Sequence, residues 1–200
     1  MVNKIKEFYD KHAKDYDAHM TKTGHYLAQK KIIIKLINEI NEPILDLACG
    51  TGYLITILSK RYKIYANDFS QTMINELKNK LPLIKNTKDN TEYLKSHKRK
   101  YNTIICCNLF YYLKNHNRAI KKWKQLLNKN GKLILIEEFP FVSTNLNGNL
   151  KNSKELLSII KPKTIVEIIE IMKTHNLHLI KMTKGKIDNY HHLYGLIFKM

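Results

Sequence analysis

The sequence predicts an α/β fold: a doubly wound sheet of seven strands, mostly parallel, closed by an antiparallel C-terminal hairpin. Three observations carry this. Apolar runs of strand length alternate with amphipathic stretches of helix length through most of the 200 residues. The run "ILDLACGTGY" at 44–53 passes from a buried strand through a glycine turn into a helical pattern. Only "KGKIDNYH" joins the last two strands, too short for the crossover that a parallel pair requires.

In order, helical periodicity covers 2–19 and 25–41, ahead of a strand at 44–48. A helix at 52–61, a strand at 63–67, a helix at 70–80 and a weak strand at 82–86 follow. "YNTIICCN" at 101–108 reads as a strand, 115–129 as a helix and 132–138 as a strand. A looser stretch beginning "FPFVSTNLNGNLKNS" fills 139–163. A helix around 164–175 and strands at 177–183 and 192–199 complete the chain. The expected architecture is five helix-linked strands plus the hairpin. It forms one domain, with residues 1–41 as a helical N-terminal cap and 42–200 as the core.

Composition narrows the function. The opening "MVNKIKEFYDKHAKDYDAHM" has no apolar h-region or small-residue cleavage site, and no run approaches eighteen apolar residues. A soluble cytoplasmic protein, monomer or homodimer, without membrane association is expected. Cys49, Cys106 and Cys107 form neither a disulfide framework nor a metal-ligand spacing, and no metal is expected. They read as small buried residues rather than nucleophiles. The net charge of +18 attracts polyanions at low salt. Yet Arg61, Arg99 and Arg118 are the only arginines, and arginine is what specific phosphate and base recognition favours. Abundant Lys, Ile and Asn fit AT-rich coding bias instead.

The glycine turn points to a ligand. Gly50 and Gly52 let backbone amides approach it, at the carboxyl end of a strand where a doubly wound sheet reverses order. Dinucleotide binding would put a small residue at position 55, but Ile55 stands there. Asp46 sits inside the strand, an odd place for an acid unless it meets a cation or fixes the loop amides. Asp68 ends "KIYANDFS" at the usual distance for an acid that accepts two ribose hydroxyls. The ligand therefore carries a ribose and no pyrophosphate.

Asp46-Leu47-Ala48-Cys49-Gly50-Thr51-Gly52 resembles the nucleotide motif of class I S-adenosylmethionine-dependent methyltransferases, and Asp68 resembles their ribose acid. "YNTIICCNLFYYL" and "LLNKNGKLILIEEF" are similar to the family's fourth strand and its helix-glycine-fifth-strand segment. "FYDKHAKDYD" resembles the Tyr-Asp-x-x-Ala-x-x-Tyr-Asp cap of small-molecule members. The similarity covers nearly the whole chain and implies a Rossmann-like fold. The implied cofactor is S-adenosylmethionine, with S-adenosylhomocysteine as product.

By that resemblance, the backbone at Ala48 and Gly50 faces the methionine part and Asp46 orients its ammonium. Gly52 belongs to the same turn, and Asp68 takes the ribose hydroxyls. Phe69 or Met73 covers one adenine face, and Asn90-Thr91 meets the adenine edge, with Asp89 as the adjacent alternative. Cys107, Asn108 and Leu109 pass the methionine moiety, while Tyr9 and Tyr16, seven apart on one helix face, cover the cofactor.

A sulfonium is already a good leaving group, so positioning and water exclusion do most of the work and a general base is optional. Candidate catalytic groups are Tyr111 and Tyr112 after the fourth strand, Glu138 ending the fifth, and His191 at the hairpin. Strand alternation turns only one of Glu137 and Glu138 toward the pocket, the other being solvated or paired with lysine. The favoured reading is methyl transfer to N, O or S of a small-molecule substrate. Competing readings are an RNA methyltransferase using Lys114, Arg118, Lys151 and Lys154, and a cofactor-binding regulatory protein without turnover. Against RNA, the chain has no appended RNA-binding module and no Asn-Pro-Pro-Tyr or Asp-Pro-Pro-Tyr motif.

Overall fold

A computed structural model describes residues 2–140 and 160–200. Two helices, α1 (Val2–Lys22) and α2 (His25–Leu36), precede the first strand, and a 3₁₀ turn at Ile37–Glu39 finishes α2. There follow β1 (Ile44–Leu47), α3 (Tyr53–Leu58), β2 (Ile64–Asp68), α4 (Gln71–Lys80) and β3 (Lys85–Lys88). Next come β4 (Tyr101–Cys107), α5 (His116–Leu126) and β5 (Leu127–Phe139). Last are α6 (Ile165–Thr174), β6 (His178–Lys186) and β7 (His192–Lys199).

The seven strands lie in the order β3-β2-β1-β4-β5-β7-β6. All neighbours are parallel except at β7, which is antiparallel to both β5 and β6, so the terminal hairpin forms an edge as expected. Chain order reverses between β1 and β4. That places a crevice outside their carboxyl ends.

Strand alternation splits the core into two layers. Leu45, Leu47, Ile104, Cys106, Leu133, Leu135, Leu196 and Phe198 pack under α5 and α6 with Trp123. Ile44, Ala66, Ile105, Ile134, Ile136 and Ile197 pack on the other face with Ile32, Ile33 and Leu36 of α2 and Ile55 and Leu58 of α3. Burying this apolar surface, at roughly 25 cal/mol per Å², is the main term holding the sandwich together.

Several expectations change. The cap expected over 1–41 divides, because α2 buries Ala28, Ile32, Ile33 and Leu36 against the sheet while α1 lies outside it along α4. Residues 89–100 link β3 to β4 by turns rather than a helix, with Leu94 buried at φ 44. The helix expected at 115–129 ends at Leu126 and β5 begins at Leu127, because the ladder to β4 jumps from Tyr101/Leu127 to Thr103/Lys132 and loops 128–131 out as a bulge. The weak strand sits at 85–88 rather than 82–86. Most of the 139–163 stretch, including Lys151 and Lys154, lies outside the described residues. Among the described residues no helix is long and apolar enough to cross a membrane.

Candidate active site

The crevice at the β1/β4 reversal opens into a cavity of about 730 Å³, counted out to its mouth. Its floor is the carboxyl ends of β1, β2 and β4, and its roof is α1. Tyr9, Tyr16, Ala48, Gly50, Asp68, Phe69, Met73, Asn90, Thr91, Cys107, Asn108 and Tyr112 line it, together with Ile5, Glu92, Leu109 and Leu113.

The floor is held in backbone conformations that L-residues avoid. Ala48 (φ 54), Gly50 (φ 53), Gly52 (φ 83) and Asn108 (φ 52) are all left-handed, the first two turning β1 toward α3 and the last turning β4 away. Such residues cost about 1–3 kcal/mol each where a side chain is present and persist where surrounding structure imposes them. A Cβ on Gly50 would point into open space, so the turn presents bare backbone to the cavity. A Cβ on Gly52 would stand 2.2 Å from Leu77 Cδ1. Gly52 therefore serves the packing of α4 and does not line the cavity.

Asp68 accepts hydrogen bonds from the Gly50 amide at 2.9 Å and the Ser70 amide at 2.8 Å. Burial nonetheless pushes its carboxyl up to about 6, the amide bonds offsetting only part of the cost. Asp46 shares the buried face of β1 with Ile44, behind the lining, and burial followed by the charge of Asp68 pushes its carboxyl well above the usual range. Among the described residues neither acid has a lysine or arginine partner, and the two form a buried acidic pair.

The roof is aromatic. Tyr9 and Tyr112 hydroxyls meet at 2.5 Å, and the Tyr9 ring packs edge-on against Tyr16 and Tyr112, with centroids 6.0 and 5.7 Å apart. Burial raises all three phenols above their ordinary value, so they act as neutral donors and acceptors. The Cys49, Cys106 and Cys107 thiols are likewise raised, first by burial, which makes them poor nucleophiles.

Three expected catalytic residues lie outside this lining. Tyr111 is buried with Ile5 and Ile160 beside it. Glu138 is turned to the α2 side of β5, where His25 Nε2 lies 3.2 Å from Oε2; its partner is a histidine, not a lysine. His191 belongs to the hairpin loop, its Nδ1 2.5 Å from Asp188 Oδ2. The other acid of the pair, Glu137, is 1% exposed and accepts the Leu109 and Phe110 amides at 3.1 and 3.0 Å, which props the β4 turn against the cavity. Burial pushes its carboxyl up to about 8.

Between the two neighbouring candidates after β3, Asn90 lines the cavity. Asp89 instead accepts the Ser96 amide at 2.8 Å. Thr91 is fixed behind Asn90 by Trp123 Nε1, which donates to its carbonyl at 2.8 Å. Sequence reasoning missed Ile5, Glu92 and Leu113, whereas Leu109 lines the cavity beside Cys107 and Asn108. Ile5 precedes Tyr9 by one helical turn, and Leu113 follows Leu109 by four residues in the quoted fourth-strand segment, so those two had a periodic signal. Glu92 sits in a polar run where an acid looks solvated, and its role in accepting the Lys114 and Asn115 amides had none.

The residues fit S-adenosylmethionine: bare turn backbone, two buried carboxylates lacking a cation among the described residues, and an apolar, aromatic chamber. Comparisons with known proteins agree. Residues 44–131 match a methyltransferase domain family. A malonyl-[acyl-carrier protein] O-methyltransferase from Priestia megaterium is 30% identical over 181 residues, covering 82% of this chain and 60% of that protein. The chain thus spans about three fifths of that relative's length. A S-adenosylmethionine-dependent methyltransferase from Clostridium acetobutylicum has the same fold, with TM-score 0.71 and 19% identity over 96% of this chain and 98% of that one. So does a magnesium protoporphyrin IX methyltransferase from Synechocystis with bound S-adenosylmethionine, with TM-score 0.64 and 17% identity over 88% of this chain and 80% of that one. Residues 44–131 thus carry a methyltransferase domain, within a chain that shares its fold with S-adenosylmethionine-dependent methyltransferases.

Proposed function

We propose that the protein transfers the methyl group of S-adenosylmethionine to a nitrogen, oxygen or sulfur atom of a small molecule held beneath α1. The observation that carries this is the tyrosine-roofed cavity over two buried carboxylates that have no cation of their own among the described residues. When bound, the cofactor supplies an electrophilic methyl on a positively charged sulfur. Asp68 accepts the ribose hydroxyls, and Asp46 balances the positive ammonium from behind the turn. The backbone at Ala48 and Gly50, with Cys107 and Asn108, lines the methionine part. Phe69 and Met73 cover the adenine and Asn90-Thr91 meets its edge. Tyr9, Tyr16 and Tyr112 exclude water, and their electron-rich rings suit a neighbouring cation. These residues would hold an acceptor in line with that methyl, and the acceptor's proton would leave to water.

The relative named for O-methylation of a malonyl group makes a carboxylate oxygen the first acceptor class to test. The net charge of +18 favours a second reading, RNA, with Lys114 and Arg118 as the described candidates. Arg118, however, is engaged, its guanidinium 4.8 Å over the Tyr93 ring and 4.0 Å from Glu92. Methyl-labelled cofactor incubated with pooled small carboxylic acids, amines, phenols and thiols, and separately with purified RNA, separates the two. Label in the small-molecule fraction supports the proposal. Label in RNA at physiological salt, abolished by charge reversal at Lys114 and Arg118 but not at Lys4 and Lys6, overturns it.

A further inference from the structure

Tyr9 and Tyr16 are each followed by an aspartate, and one helical step turns about 100°. The tyrosines therefore face the cavity while Asp10 and Asp17 face α4. Asp10 Oδ1 accepts from the Ser70 hydroxyl at 2.5 Å and the Thr72 hydroxyl at 3.0 Å, at the first turn of α4. Asp17 Oδ1 accepts from the Thr51 and Tyr26 hydroxyls, both at 2.5 Å, and Asp17 Oδ2 takes Lys80 Nζ at 2.6 Å, at the last residue of α4. Between them Ala13, 2% exposed, lets α1 lie close. Seven residues are about two helical turns, so Asp10 and Asp17 lie on the same face of α1.

Both attachments end on the backbone that shapes the cavity. Ser70 follows Phe69, donates its amide to Asp68 and caps α4 by accepting the Met73 amide at 3.1 Å. Thr51 is the middle residue of the glycine turn, and Tyr26, which shares its bond to Asp17, stacks on Tyr53 at 3.8 Å just beyond Gly52. For Asp17, burial acts against the charge, but Lys80, Thr51 and Tyr26 outweigh it and hold the carboxyl below its usual value. Burial likewise acts against Asp10, and Lys6, Ser70 and Thr72 outweigh it.

We infer that Asp10 and Asp17 are positioning residues: two clasps that set Tyr9 and Tyr16 over the cofactor and make opening of the cap and loosening of the glycine turn one event. The inference rests on the reading that this cavity holds S-adenosylmethionine. Its consequence is kinetic. Release of the spent cofactor requires Asp17 to let go of Thr51, so the clasps govern residence time more than the intrinsic fit of the site.

The test uses S-adenosylhomocysteine as the probe, with stopped-flow dissociation rates, equilibrium affinity and amide exchange over residues 2–22. Asp17→Ala and Thr51→Val are expected to speed dissociation about tenfold, the loss of one charge-assisted bond. Association should be unslowed and exchange in α1 faster. Asp17→Asn, which keeps an oxygen for Thr51 and Tyr26, should restore part of the residence time. A merely structural role would lower the thermal midpoint and the fraction of competent protein without moving the dissociation rate of what remains. Dissociation within twofold of wild type in both Asp17→Ala and Thr51→Val, with Asp68→Ala still impairing binding, overturns the clasp alone. Failure of the wild-type protein to bind S-adenosylhomocysteine overturns the cofactor reading and the clasp with it.

Discussion

Two acids stand at the same end of the sheet in opposite circumstances. Asp68, the last residue of β2, accepts two backbone amides, yet burial pushes its carboxyl up to about 6. Asp188, in the β6–β7 loop, also accepts two amides, from Tyr190 and His191, and in addition faces the His191 ring. Burial acts against its charge as well, but these partners outweigh it and bring its carboxyl down to about 2. The difference is a side-chain partner, which the hairpin provides from its own sequence and which neither cavity acid has among the described residues. An acid completed by the fold holds a loop together. An acid left incomplete and dry marks where a ligand supplies the missing half.

The largest effect that sharpens this contrast comes from the turn beside Asp68. Gly50→Val places a branched side chain at φ 53 in the open space above the floor, and S-adenosylhomocysteine binding should fall below detection by calorimetry while far-UV dichroism keeps its α/β signature. Next is the acid itself. Asp68→Ala should weaken binding tenfold or more, from charge-assisted bonds worth ~1.5–3 kcal/mol. Asp188→Ala should lower the thermal midpoint and leave affinity within about twofold. Equal losses of affinity in the two variants would erase the distinction.

Acidity divides the pair again, with opposite signs. The raised carboxyl of Asp68 favours the unliganded fold below its unfolded value near 4, and that contribution is lost as pH rises through about 6. Binding needs the ionised form, so affinity for S-adenosylhomocysteine should be full at pH 7.5 and fall about tenfold per unit once pH drops below about 6. The depressed carboxyl of Asp188 contributes stability above about pH 4 and loses it only as pH falls through about 2. Calorimetric titrations at pH 7.5 and 5, beside urea unfolding at the same values, read both. An affinity that does not change over this range would show that Asp68 is not the group the ligand meets. The smallest expected effect is at Ala48, whose φ of 54 suits glycine. Ala48→Gly relieves ~1–2 kcal/mol of strain but gives back ~0.4–1 through the freer unfolded chain, so urea unfolding should show a gain of about 1 kcal/mol or less.

What was legible in the sequence follows the same division. The parallel strands could be read because Ile44, Leu45 and Leu47, or Ile104 to Cys106, are buried on both faces and leave a continuous apolar run. The cofactor turn could be read because left-handed positions select Gly50 and Gly52. The bulge at 128–131 and the helix-free link at 89–100 were not legible, since both depend on how β4 meets β5 and on the burial of Leu94. Acid–base candidates were least legible. Glu137 and Glu138 are neighbours of one type, and only the pleat tells that one supports the β4 turn while the other meets His25. His191 looked available because nothing in sequence announces that Asp188, three residues earlier, occupies its ring.

The two helices ahead of the core are fastened in different ways. A Cβ on Gly195 would lie 2.6 Å from Ile32, and one on Gly185 would lie 2.9 Å from the Ala28 carbonyl, so α2 sits on bare strand backbone and cannot shift without reopening the sheet. Helix α1 is held by its apolar stripe, the Tyr9–Tyr112 hydroxyl contact and the contacts of Asp10 and Asp17 to α4, α2 and the glycine turn. The joint between them, at Thr23-Gly24, has Gly24 at φ 82. A door leaf hung on a fixed jamb can be exchanged without rebuilding the wall. Altered side chains on the free faces of α1 would therefore reshape the roof over the acceptor while the floor that grips the cofactor stays as it is, which gives one core a route to new acceptors through a single helix.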